Sequence, residues 1–215
     1  MVPERPLTEV VVFAREPRPG AVKTRLASAI GADRAAQVYR VLLEHTLAVA
    51  QASGFDVRLS LAAVPAEPPA GVPWEVQPDG DLGVRLQAAF DGAFRRGVRR
   101  VVMVGSDCLE LTAPHLHAAA DALDIAALVL GPAVDGGYWL IGQPAPGAPA
   151  LLDDVPWSSD RTLAVTLARA RRMGLETALL DELVDLDLIE DLDVARRRGR
   201  MPPELEAAVR LAMGA

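Results

Sequence analysis

Two periodicities divide this chain. Short apolar runs at residues 10–13, 57–63, 101–104 and 126–130 have the length and composition of strands covered on both faces. Between them lie stretches whose apolar residues recur every three to four positions. Ala36, Tyr39, Leu42, Leu43, Leu47 and Ala50 keep this spacing after Asp33, and Gly54 stops it. Leu86, Ala89, Phe90 and Ala93 keep it over residues 82–94. The same reading predicts a short helix from Thr24 that ends at Gly31, and helices over 114–123, 162–173, 192–198 and 204–213. A further strand over 136–141 follows a tight glycine turn.

Strands that alternate with helices predict an α/β protein, a three-layer α/β/α arrangement around a mostly parallel sheet. Ligands of such sheets sit at the carboxyl ends of the strands, so the residues just after each strand are the first candidates for chemistry. The Pro/Gly-rich stretches 65–78 and 144–149 read as surface loops inside one domain spanning residues 1–215.

Composition narrows the partners. The hydrophobic fraction of 51% is enough for a packed core. The net charge of −7 and pI near 5.0 argue against a nucleic-acid or anionic-membrane surface, which needs an excess of Lys and Arg. No apolar run reaches the ~20 residues of a membrane span. The first residues lack the basic start and long apolar stretch of a signal peptide. The single cysteine, Cys108, permits no internal disulfide. A cytoplasmic protein is expected, free of nucleic acid and membrane.

Four clusters carry candidate chemistry. Residues 15–25 follow the first strand and hold Arg15, Arg18, Lys23 and Arg25 around Gly20 and Thr24, in a chain whose total charge is negative. Cations beside a helix start suit an anion such as a di- or triphosphate; composition alone fits a solvated loop equally well. The segment is not a Walker loop, because Val22 stands where glycine must precede the lysine. Gly105-Ser106-Asp107 ends the third strand and sets a carboxylate where a hard cation binds, or where a turn needs a cap. Asp135-Gly136-Gly137 permits close backbone approach to a ligand, but the pattern favours a hairpin. Asp185 and Asp187, two apart, share one face if extended and would then complete a metal site; the alternative is an acidic helix start. Cys108 reads as a buried inert thiol, His115 and His117 as poorly spaced for zinc, and Trp157 as a packing residue or a base-stacking platform.

These motifs, in this order, resemble one known group. Phe13-Ala14-Arg15-Glu16-Pro17-Arg18-Pro19-Gly20-Ala21-Val22-Lys23-Thr24-Arg25-Leu26, Gly80-Asp81-Leu82-Gly83-Val84-Arg85-Leu86, Gly105-Ser106-Asp107-Cys108, 131–138, Trp157-Ser158 and Asp185-Leu186-Asp187 are similar to the motifs of the radical-SAM/selenodomain-associated transferase 1 family. The opening segment is also similar to that of 2-phospho-L-lactate guanylyltransferases, and Asp107 to the metal-binding aspartate of molybdenum-cofactor guanylyltransferases. Leu188-Ile189 stand where the family has Thr-Pro.

The resemblance implies a nucleotide-diphospho-sugar transferase fold of the GT-A type, Rossmann-like. It implies catalytic roles for Lys23, Arg25 and Asp107, and nucleotide contacts at Arg15, Gly20, Lys23, Thr24, Arg25, Gly83 and Ser106. It further implies acceptor contacts at Asp135, Gly136, Gly137 and Trp157, and Mg²⁺ or Mn²⁺ held by Asp107 and Asp187. The expected activity is metal-dependent transfer of a nucleotidyl group from a nucleoside triphosphate to a small phosphorylated or hydroxyl acceptor. The alternatives are glycosyl transfer from a nucleotide-sugar and a non-catalytic nucleotide-binding module.

Overall fold

The structure, a computed structural model, describes residues 7–67 and 69–214. Residues 1–6, read above for a leader, and Pro68 of the first Pro/Gly-rich loop lie outside the described residues. Among the described residues seven strands form one sheet: β1 (Thr8–Ala14), β2 (Asp56–Leu61), β3 (Trp74–Val76), β4 (Arg100–Val104), β5 (Leu128–Pro132), β6 (Tyr138–Pro144) and β7 (Thr177–Leu179). Their spatial order is β3-β2-β1-β4-β6-β5-β7. All pairings are parallel except those of β6, which runs antiparallel to both β4 and β5. The mostly parallel α/β sheet expected from the sequence is therefore what forms.

Among the described residues seven α-helices surround it: α1 (Thr24–Ile30), α2 (Ala32–Ala52), α3 (Leu82–Arg95), α4 (Ala113–Ala122), α5 (Thr162–Arg172), α6 (Ile189–Arg198) and α7 (Pro203–Met213). Strand alternation sends β1 side chains to two cores. Val10 and Val12 join Leu43 of α2 and Leu116 of α4 on one face. Val11 joins Phe90 of α3, Met103 of β4 and Ala170 of α5 on the other. Each such buried Val, Leu or Phe stabilises the fold by about 1.5–3 kcal/mol.

A third core matters for the site. Leu26 of α1 and Leu42 of α2 pack with Leu192 of α6 and Val209 of α7. Leu109, Val184 and Leu186 belong to the same core, so they anchor the backbone beside Asp107, Asp185 and Asp187.

Several boundaries differ from the sequence reading. The expected strand over 126–130 starts two residues later, at Leu128, and 136–137 form a turn before β6 rather than its first residues. The second core helix starts at Ala32 behind Gly31, with Asp33 in its first turn. The helix expected over 192–198 begins at Ile189. The aspartate pair lies on no regular strand; Asp185 makes one isolated antiparallel bridge to Cys108. The edge strands β3 and β7 were not expected, because three half-exposed residues carry too little pattern.

Candidate active site

The sheet brings the first two clusters together. β1 and β4 are parallel neighbours with Val12 opposite Val104, so both end at one edge and their following loops lie side by side. Gly20, at φ 76°, turns the first loop back, and the Ala21 N–H donates to the Arg18 carbonyl at 3.1 Å. Lys23 closes the loop at the start of α1 with φ 47°, in the left-handed region that costs a non-glycine residue about 1–2 kcal/mol. Such strain persists only where surrounding contacts fix it.

Those contacts are ionic. Lys23 Nζ lies 2.7 Å from Asp107 Oδ2 and 2.9 Å from Asp187 Oδ1. The lysine side chain is only 5% exposed, against 32% for Asp107 and 45% for Asp187. Burial by itself lowers the affinity of the ammonium for its proton, but the two carboxylates outweigh it and hold Lys23 above the usual lysine range. The fourth cluster thus joins the first two at a single cation.

Backbone hydrogen bonds fix the two aspartates. The Leu186 N–H donates to the Asp107 carbonyl at 2.9 Å, and the Leu109 N–H to the Val184 carbonyl at 2.8 Å. Asp191 Oδ2 accepts from the N–H groups of Asp187, at 2.8 Å, and Leu188, at 2.7 Å. From the third position of α6 this carboxylate satisfies the N–H groups just before the helix. Asp185 stands behind the pair; its Oδ1 is sealed from solvent without a hydrogen-bond partner. Burial, with the Asp107 charge beside it, pushes the Asp185 carboxyl well above the usual carboxylate range.

Tyr39 of α2 ties the loops to each other. Its Oη accepts the Arg15 N–H at 3.0 Å and shares a 2.7 Å hydrogen bond with Ser106 Oγ. Its ring packs on Val22 and Ala36.

These groups line one wall of a cleft of about 760 Å³, within the usual range of small-ligand sites. Arg15, Lys23, Thr24, Arg25, Ser106, Asp107, Trp157 and Asp187 all reach it. Arg25 is 66% exposed and stands 3.9 Å from Asp187 Oδ2, so its charge faces solvent. Gln77 and Arg85 supply further polar lining. Gln77 Nε2 donates to the Ser60 carbonyl at 2.8 Å, and Arg85 Nε to the Gly80 carbonyl at 3.0 Å.

Other residues singled out in the sequence lie elsewhere. Gly20 shapes the loop without lining the cleft. Gly83 sits beneath Trp157, where an added Cβ would stand 3.0 Å from the indole nitrogen, and it is absent from the cleft lining. Asp135, Gly136 and Gly137 form the turn of the β5–β6 hairpin and are absent from the cleft lining. Asp135 Oδ1 accepts the Gly137 N–H at 2.8 Å, so that carboxylate already serves the turn. Cys108 is buried, and burial, then the nearby Asp185, pushes its thiol well above the usual range. His115 Nδ1 accepts the Thr112 N–H at 3.1 Å, and His117 packs on Phe55.

Sequence reasoning missed Tyr39, Gln77, Arg85 and Asp191 as site residues. Arg85 lies inside the Gly80–Leu86 motif, and Asp191 follows Asp185 and Asp187 in an acidic stretch that also holds Glu190. Tyr39 and Gln77 left no signal.

Among the described residues no group of three or more His, Cys, Asp and Glu is arranged to hold a metal ion. Asp107 and Asp187 nonetheless present two carboxylates to one small cation, with the unpartnered Asp185 Oδ1 behind them. Mg²⁺ is commonly held by one or two carboxylates, with phosphate and water oxygens completing its shell. That donor set fits.

Comparison with solved structures places the fold among nucleotide-diphospho-sugar transferases and nucleotidyltransferases. A protein from Desulfovibrio desulfuricans G20, provisionally described as a nucleotide-diphospho-sugar transferase, is 28% identical over 96% of both chains, with a TM-score of 0.88. The inositol-1-phosphate CTP transferase of T. maritima is 15% identical over 95% of this chain and 96% of that one, with a TM-score of 0.54. Rv0371c of Mycobacterium tuberculosis H37Rv, solved as a complex with manganese, is 18% identical over 88% of this chain and 97% of its own, with a TM-score of 0.51. No curated protein matches the sequence. Residues 43–159, more than half of the chain, match a bacterial family described as "Uncharacterized protein conserved in bacteria (DUF2064)", and the chain belongs to that family.

Proposed function

We propose that the protein is a divalent-metal-dependent nucleotidyltransferase, which moves a nucleoside monophosphate from a triphosphate to a small phosphorylated or hydroxyl acceptor. The observation that carries this reading is the meeting of Lys23, Asp107 and Asp187 in one cleft, at the carboxyl end of adjacent parallel strands. Arg15, Arg25 and Arg85 line the same cleft and supply charge for a polyphosphate.

Each residue has a task. Arg25 and, once released from its carboxylates, Lys23 meet the phosphate oxygens and stabilise charge that develops as pyrophosphate leaves. Tyr39 and Ser106 keep the loops in register. Asp107 and Asp187 would hold Mg²⁺ or Mn²⁺, whose chemistry is to neutralise the phosphates and favour in-line displacement. The cleft walls orient donor and acceptor, which by itself lowers the barrier. An acceptor that is already a phosphate needs no general base. Trp157, on the cleft wall, is the acceptor-side or base-side contact of this reading.

The likeness to the Desulfovibrio protein favours a second reading, glycosyl transfer from a nucleotide-sugar, with the same cation loop and metal. The resemblance to the radical-SAM/selenodomain-associated transferase 1 group fits either. Incubation with each nucleoside triphosphate, and in parallel with each nucleotide-sugar, in the presence of Mg²⁺ and a pool of sugar phosphates and hydroxy acids separates the two. Pyrophosphate release supports nucleotidyl transfer; nucleoside diphosphate released only from nucleotide-sugars overturns it.

A further inference from the structure

Lys23 is the only lysine of the chain; the remaining cations among its 22 Lys and Arg residues are arginines. An ammonium is a compact, strongly hydrated point charge with three donors, the side chain most like a metal ion in size and charge density. Two of its donors are taken by Asp107 Oδ2 and Asp187 Oδ1, at 2.7 and 2.9 Å, lengths typical of charge-assisted hydrogen bonds. Its stem is buried, while both carboxylates remain partly open to the cleft.

A divalent cation seated on these two oxygens would use the same lone pairs at about 2.0–2.1 Å. Two cations held between one pair of carboxylates would repel each other strongly in a partly buried site. The ammonium and the metal ion therefore compete for one seat. Beside that seat the cleft carries Arg15, Arg25 and Arg85, cations that suit phosphate oxygens.

We propose that Lys23 fills the cation seat in the ligand-free protein, so that a divalent ion enters only together with the phosphates that draw the ammonium away. Cation and nucleotide then bind as a pair, and free metal alone does not load the site. The inference rests on the nucleotide-using reading above, but its cation half stands by itself.

Two measurements test it. Mn²⁺ alone is titrated into wild type and Lys23→Met, with free Mn²⁺ read by electron paramagnetic resonance. Lys23→Met is expected to bind at least tenfold more tightly, and adding Asp107→Asn to it should abolish the gain. Equal affinity in wild type and variant overturns the proposal. Because two facing carboxylates without their cation destabilise the fold, the second measurement uses the unaltered protein. Labelling with ¹⁵Nζ-lysine gives a single side-chain ammonium signal. That signal should stay in place with Mg²⁺ alone and move when Mg²⁺ is added with one of ATP, GTP, CTP or UTP; movement with Mg²⁺ alone overturns the proposal. Turnover of nucleotides without any gain in Lys23→Met sinks the competition and leaves the transferase. A gain in Lys23→Met without any nucleotide acting on wild type sinks the pairing and the transferase together, leaving only the competition for the seat.

Discussion

Tyr39 Oη and Ser106 Oγ lie 2.7 Å apart, joining the middle of α2 to the loop that carries Asp107. The same phenol accepts the Arg15 N–H, so one side chain fixes the start of both motif loops. Tyr39→Phe removes a shared partner from two polar groups in a poorly solvated place. We expect a loss of about 1–3 kcal/mol in urea unfolding, together with weaker nucleotide binding. Unchanged stability and unchanged binding would show that the hydroxyl does not clamp the loops.

Asp191 holds Asp187 by accepting its N–H, although it does not line the cleft. A residue that orients a metal ligand commonly contributes 10- to 100-fold to metal affinity. Asp191→Ala is therefore expected to weaken Mn²⁺-dependent nucleotide binding by roughly 10-fold. It should also cost about 1 kcal/mol through the lost cap at α6. Isothermal titration that finds the affinity intact would detach Asp191 from the site.

Gly83 tests the packing under Trp157. Glycine to alanine in a helix normally stabilises by up to about 1 kcal/mol. Here an added Cβ would stand 2.6 Å from the Leu152 carbonyl oxygen and 3.0 Å from Trp157 Nε1. The clash outweighs propensity, so Gly83→Ala should destabilise by about 1–3 kcal/mol and alter Trp157 fluorescence. A stabilised variant would contradict this packing.

His115 gives the fold a pH dependence of known sign. Burial lowers its imidazole below the ordinary 6.5, with Asp181 acting upward and Arg200 downward. Its neutral Nδ1 accepts the Thr112 N–H, and the ring packs edge-on against Trp139. Above the ordinary value both folded and unfolded chains are neutral there and the contribution is complete. As pH falls through that value the unfolded chain takes up a proton that the folded protein resists, and stability is lost. Glutamine at this position still reaches back to Thr112 without titrating. Wild type should lose more stability than His115→Gln between pH 7.5 and 5.5; parallel curves would remove His115 as the cause.

Legibility from the sequence followed burial. β1 and β4 are buried on both faces, and their apolar runs marked them and the loops after them, where Lys23 and Asp107 stand. The edge strands β3 and β7 have three residues each and no such run. Tyr39 read as an apolar position of a helix, because its hydroxyl acquires a partner only when Ser106, 67 residues away, folds against it. The aspartate pair was visible as alternation, and Val184 and Leu186 do share one core. Its backbone pairing with the Asp107 segment belongs to the tertiary fold and left no local trace. The aspartate and glycines of 135–137 carried two readings, and the Asp135 hydrogen bond to Gly137 shows which geometry forms.

In the proposed reaction nucleotide and metal meet at Asp107. Thermal unfolding of wild type and Asp107→Asn, each with Mg²⁺ and one nucleoside triphosphate at a time, addresses that directly. A ligand at about 100 times its Kd adds about 2.7 kcal/mol, so wild type should melt several degrees higher with at least one triphosphate, and only when Mg²⁺ is present. Asp107→Asn should show no such rise. No rise in wild type with any triphosphate, or an equal rise in the variant, would contradict the account.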